Sequence, residues 1–121
     1  MRTTFLLFTV AVLSCSPQVD LPNLDQEAFA SDVNGCRSIR ASMIENLKKD
    51  KNLLKGLNQE QVTEVLGKPD QNELYKRNQK FFIYHLTPTN CSHQIVTTTH
   101  QYLSIRFNAT GLAKEVVIYE D

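Results

Sequence analysis

The chain has 121 residues and a formal net charge of zero, with 41% hydrophobic and 21% charged residues. That length suits one domain, and the balanced charge excludes a protein steered to nucleic acid by a basic excess or built around an acidic tail. The composition is globular, but a domain of about 100 residues buries a modest core, which a covalent staple would supplement.

Met1-Arg2 is a short positive start, the run Phe5–Leu13 is largely apolar, and the small Ser14 precedes Cys15. This is the layout of a secretory signal. The run is too short to cross a bilayer, which takes about 20 residues. Val12-Leu13-Ser14-Cys15 resembles a bacterial lipobox, which implies cleavage before Cys15 and a lipid on its thiol. One acyl chain binds a membrane only marginally, whereas the two or three chains of a lipoprotein would hold it firmly. An ordinary signal peptide is the rival reading, and it would make Asn90-Cys91-Ser92 and Asn108-Ala109-Thr110 possible glycosylation sites. Loss of residues 1–14 removes Arg2 and leaves 12 basic against 13 acidic residues, a net charge of −1. The expected organisation is a signal over 1–14, a lipid-anchored tether over 15–24 carrying Pro17 and Pro22, and one domain over 25–121.

Three cysteines are an odd number for an exported chain. With Cys15 acylated, Cys36 and Cys91 remain, and an oxidising compartment favours a bridge between them. Two separate buried thiols are the alternative. Cys91, His93 and His100 fall in one loop, but their spacing fits no common zinc pattern, so neither metal nor cofactor is expected.

Asp25 to Ala30 reads as a helical turn, and Asn34-Gly35 as a turn or helix start. Ile39, Met43 and Leu47 recur at helical spacing and predict a helix from Arg37, with Arg40, Glu45, Lys48 and Lys49 outward. The next helix, 58–66, is written at both ends. Asn58 is a good N-cap, Gln61 stands where a capping box needs it, and Leu57 and Val62 form a hydrophobic staple. Gly67 and Pro69 stop it. Val62, Val65 and Leu66 share one apolar face.

The period then changes to two. Glu73-Leu74-Tyr75-Lys76 predicts a short strand, and Arg77-Asn78-Gln79 a turn. Lys80–Leu86 is a strong strand, apolar on both faces and therefore central. Thr87 to Thr99 is a polar connection. Leu103, Ile105 and Phe107 alternate with Tyr102, Ser104 and Arg106, a half-buried strand. Asn108-Ala109-Thr110-Gly111 turns the chain into the returning strand Ala113–Tyr119, antiparallel because the loop is short. The fold class is α+β: two or three N-terminal helices packed on one face of a three- to four-stranded antiparallel sheet.

Leu57-Asn58-Gln59-Glu60-Gln61-Val62, then Val65-Leu66-Gly67-Lys68-Pro69-Asp70, together with Leu103–Gly111 and Val116-Val117-Ile118, resembles the SmpA/OmlA (BamE-like) family of small outer-membrane lipoproteins. The resemblance runs from about residue 53 to 119 and extends to the small lipoproteins of Bacteroidetes-type bacteria. It implies two helices on a three-stranded antiparallel sheet, an outer-membrane location facing the periplasm or the surface, and an envelope protein as partner, such as a barrel-assembly component. The region Asn34-Gly35-Cys36-Arg37 and the long cysteine-bearing loop depart from the family pattern.

No nucleophile–base order and no phosphate-cradling glycine loop is present, so the expected function is docking, not catalysis. Of the central strand, either Phe82 and Tyr84 or Phe81 and Ile83 face away from the helices. Phe82, Tyr84, Tyr102 and Arg106 are the candidate partner surface. A secreted inhibitor or small-ligand binder on the same fold is the second reading.

Overall fold

The computed structural model describes residues 19–92 and 99–121. The proposed signal segment and Cys15 lie outside them, as does His93.

The best-written helix forms as its sequence dictates. Asn58 Oδ1 accepts from the Gln61 amide at 2.8 Å, and Gln61 Oε1 accepts from the Asn58 amide at 3.0 Å. This closes a capping box over Gln59–Leu66. Its stripe Val62, Val65 and Leu66 is buried. Gly67 ends it at φ 84° and ψ −176°, extended in the mirror sense, a conformation that only glycine reaches cheaply. A Cβ there would fall 2.6 Å from the Ala30 Cβ, so a glycine is required sterically as well.

We number the helices α1 (Gln26–Ser31), α2 (Ile39–Ser42), α3 (Ile44–Asp50) and α4 (Gln59–Leu66), with short 3₁₀ turns at Val33–Gly35 and Lys51–Leu54. The strands are β1 (Gln71–Tyr75), β2 (Gln79–His85), β3 (Gln101–Phe107) and β4 (Ala113–Glu120). They form one antiparallel sheet in the order β1-β2-β3-β4. The α+β reading with helices on one sheet face therefore holds, and β2 is central as expected.

Register decides which side chains the helices cover. Phe82 pairs with Ile105, Tyr84 with Leu103, and Ile105 with Val116. These residues lie on one face and are buried with Phe29, Leu47, Leu54, Val62 and Leu66. Phe29 packs against Tyr84, ring centroids 5.9 Å apart. The Tyr84 hydroxyl donates to the Gly67 carbonyl at 2.7 Å, and burial pushes that phenol above its ordinary value of 10.0.

Three sequence expectations change. The single helix from Arg37 is two, because Met43 leaves helical geometry (φ −100°, ψ 1°) between α2 and α3. Arg40, expected outward, is 1% exposed. The expected tether over 15–24 is shorter: Leu21 and Leu24 belong to the core, and the backbone N–H and side-chain amide of Asn23 donate to Asp50 at 2.7 and 2.8 Å. Two apolar residues three apart, too few to show a period, placed part of the domain in a stretch that reads as linker.

The Cys36–Cys91 disulfide is present, with Cα atoms 5.6 Å apart and 55 positions between them in sequence. It ties the Val33–Gly35 turn to the connection after β2. Thr89 adds a backbone bond by donating to the Asn34 carbonyl at 3.0 Å. On the chain-entropy account, closing a loop of this size stabilises by about 4 kcal/mol. Cys36→Ser/Cys91→Ser should therefore lower the unfolding free energy by about that amount, read from urea midpoints at constant slope. Intact mass should shift by two hydrogens on reduction of the wild type.

Candidate functional site

The site is the sheet face that the helices leave uncovered, together with the buried pair that sets one end of it. Arg40 Nη1 meets Asp70 Oδ2 at 2.5 Å, both side chains almost wholly buried. Arg40 Nε donates to the Phe29 carbonyl at 2.8 Å and Nη1 to the His85 carbonyl at 3.1 Å. The guanidinium also lies over the Phe29 ring, 4.7 Å from its centroid. Asp70 in turn accepts from the Asn34 amide at 2.9 Å and from the His85 amide at 2.8 Å. Asp32 organises the approach, accepting from the amides of Arg37 and Arg40 at 2.7 and 3.0 Å. It thereby caps α2, whose Ser38 makes no side-chain cap bond. Two charges thus hold the N-terminal layer, the start of β1 and the end of β2 in one arrangement.

On the uncovered face, alternation sets Phe81, Ile83 and His85 beside Tyr102, Ser104 and Arg106, and these beside Glu115, Val117 and Tyr119. Tyr102 and Tyr119 stack with ring centroids 5.3 Å apart, an aromatic cross-strand pair of the kind that stabilises sheets. Arg106 Nε meets Glu115 Oε2 at 3.2 Å. Burial raises the Tyr102 phenol first, with further pushes from Asp121, Tyr119 and Glu73. Two of the four expected surface residues, Tyr102 and Arg106, stand on this face. Phe82 and Tyr84 do not: they are 4% and 0% exposed beneath the helices. The central strand is apolar on both sides, and only the register of β2 against β3 and the packing of α1 selected Phe81 and Ile83 for the uncovered one.

At one end of this face is a depression of about 320 Å³. Ile83, His85 and Tyr102 form its floor, Gln71 and Glu73 border it from β1, and Thr89 and His100 close it from the connection. His85 Nδ1 lies 3.3 Å from His100 Nε2. Thr89 Oγ1 lies 2.8 Å from the same His100 nitrogen, and His100 Nδ1 lies 3.5 Å from Asp121 Oδ2. Burial holds the His85 imidazole below its ordinary 6.5; His100 and Arg40 push the same way, and Asp70 opposes them. Among the described residues, no three His, Cys, Asp or Glu side chains converge as a metal cage.

The model of the outer membrane protein assembly factor BamE domain matches residues 46–116. That span is more than half of the chain. The protein belongs to the BamE domain family. No curated protein and no solved structure matches it. The BamE match takes in α3 from its third residue, the whole of α4, β1, β2 and β3, and the first half of β4. It leaves out α1, α2, Arg40 and Cys36, so both the buried ion pair and the disulfide join a residue inside the BamE domain to one outside it.

Sequence reasoning missed Arg40 and Asp70 because each has an innocent local reading: a charge on a helix flank, and an acid after a helix stop. Removing one member of a buried pair strands the other, at about 3–5 kcal/mol. Arg40→Met should cost that much in urea unfolding. Arg40→Met/Asp70→Asn should cost clearly less than the sum of the two single changes, because the two sites are coupled.

Proposed function

We propose that this protein is a lipid-anchored docking module of the cell envelope that serves outer-membrane protein assembly. BamE-domain membership is the observation that carries the reading. Three further features support it. The lipobox-like Val12-Leu13-Ser14-Cys15 offers a membrane anchor, and among the described residues no helix is long and apolar enough to cross a membrane. The uncovered face presents aromatic residues and an arginine, types enriched where proteins meet. The fold also holds that face rigid, since it is the back of the core sheet, and a rigid surface loses little entropy on binding.

In this reading Cys15 carries the lipid, residues 16–18 begin the tether, and Tyr102, Arg106 and Tyr119 engage an envelope protein of the barrel-assembly machinery. Phe81, half-buried, replaces Phe82 and Tyr84 as the apolar part of that surface, with Ile83 buried beside it. The role is binding, with no catalysis. A small-ligand-binding protein is the second reading, favoured by the depression beside His85 and His100.

Two experiments test the first reading. Cys15→Ala should move the protein from the membrane fraction to the soluble fraction of the envelope; continued membrane fractionation would argue against the anchor. A photo-crosslinking residue in place of Tyr102 should capture barrel-assembly components in native envelopes, whereas one in place of the exposed Leu53, on the helical layer, should not. Equal capture from both positions, or none from Tyr102, would exclude the sheet face as the docking surface.

A further inference from the structure

His100 Nε2 has two close neighbours, Thr89 Oγ1 at 2.8 Å and His85 Nδ1 at 3.3 Å. The available protons decide how they share it. A threonine hydroxyl carries one hydrogen, and an imidazole nitrogen either donates or accepts. The Thr89 hydroxyl gives its hydrogen to the Thr87 carbonyl at 3.1 Å. Towards His100 it can then only accept, so His100 Nε2 carries a proton. His85 Nδ1 faces the same N–H and must accept as well. In the neutral ring the His85 proton therefore sits on Nε2, which is buried without a partner among the described residues.

This assignment leaves His85 one place for a further proton, Nδ1, and a proton there would set two N–H donors against each other 3.3 Å apart. The buried Nε2–H offers the imidazolium no compensating bond. The charges around the ring divide. Asp70 accepts from the His85 amide and favours the cation, whereas Arg40 donates to its carbonyl and opposes it. Glu73 from β1 and Tyr102 from β3 line the same depression. Asp121, after β4, faces the other nitrogen of His100.

The same contact sits at the base of the connection between β2 and β3. The amides of Leu86 and Thr87 both donate to the Gln101 carbonyl, at 2.9 and 3.3 Å. The Gln101 amide donates to Thr87 Oγ1 at 2.9 Å. With His100 held by Thr89 and His85, the two ends of the connection are tied together beside the depression.

We propose that His85, His100 and Thr89 form a proton-sensitive clasp: a further proton on His85 turns its accepting nitrogen into a donor, drives His100 off and loosens the base of the connection. The end of the uncovered face then changes shape in acid. Burial holds folded His85 below the ordinary 6.5, so the folded chain takes this proton less readily than the unfolded chain, and stability falls as pH drops below 6.5. The proposal does not depend on the docking role.

Proton–nitrogen correlation of the imidazole rings in the isotope-labelled wild type tests the assignment directly. Above the titration, His85 should be the Nε2–H form with Nδ1 accepting. Amide hydrogen exchange tests the consequence: the protection factors of Leu86 and Gln101 should fall about tenfold between about pH 7.5 and about pH 5, the range in which histidine changes charge. His85→Asn places an amide oxygen where Nδ1 stood, keeps an acceptor for His100 and cannot titrate, so it should abolish that fall. Asp121→Asn, at an exposed side chain, removes the charge beside His100 and should leave the fall intact. An Nδ1–H form of neutral His85, no loss of protection in acid, the same loss in folded His85→Asn, or its disappearance in Asp121→Asn would each overturn the proposal. The wild-type ring protons and Asp121→Asn decide it even where His85→Asn does not fold.

Discussion

One ion pair, hidden from water, governs how this small protein is put together. Arg40 and Asp70 are 30 positions apart and meet where the N-terminal layer, the helix stop and the sheet converge. Burying two charges is costly, and their attraction often does no more than offset the loss of hydration. The pair is therefore best understood as a device for specificity. Around it, Phe29, Asn34 and His85 all direct backbone groups at one charge or the other. Any other packing of the N-terminal layer would leave a guanidinium or a carboxylate buried without a partner. Competing arrangements are penalised more than the native one is rewarded.

The same constraint explains how an extra segment sits on a BamE domain. The family match starts inside α3, so α1, α2 and the Val33–Gly35 turn are additions to it. These elements are too short to be stable alone. They are secured by three kinds of link: Leu21, Leu24 and Phe29 in the shared core, Arg40 on Asp70, and Cys36 on Cys91. Gly35 lets the turn approach closely, since a Cβ there would meet the Thr87 carbonyl oxygen at 2.9 Å. Every one of these links acts on the helical side or at the end of the sheet. The opposite face is left to Tyr102, Arg106 and Tyr119, so the addition steadies that surface without covering it.

Much of the architecture was legible in the chain. The capping box at Asn58 and Gln61, the stop at Gly67-Lys68-Pro69, and the alternation from Leu103 to Phe107 each depend on residues within a few positions of one another. Local physics decides such features, and all three are present. The Cys36–Cys91 bridge was legible for a different reason: with Cys15 set aside as a lipid site, two thiols remain and only one pairing exists. Arg40, Asp32 and Asp50 were not legible. Charged residues are almost always solvated, and nothing local marks the exceptions.

The sequence by itself determined the capped helix at 59–66, the strands, the antiparallel hairpin of β3 and β4, the disulfide pairing and the family, because each is encoded by short-range pattern or by count; the break at Met43 between α2 and α3 was not among them. The tertiary structure alone decided which face of β2 lies under the helices, which charges are buried, and that His85 and His100 face each other. Strand period is two, so an apolar strand such as Phe81–Tyr84 carries no mark of which side is inward. That choice is made by partners distant in sequence, and here by the single register in which Tyr84 reaches Gly67 while Asp70 reaches Arg40.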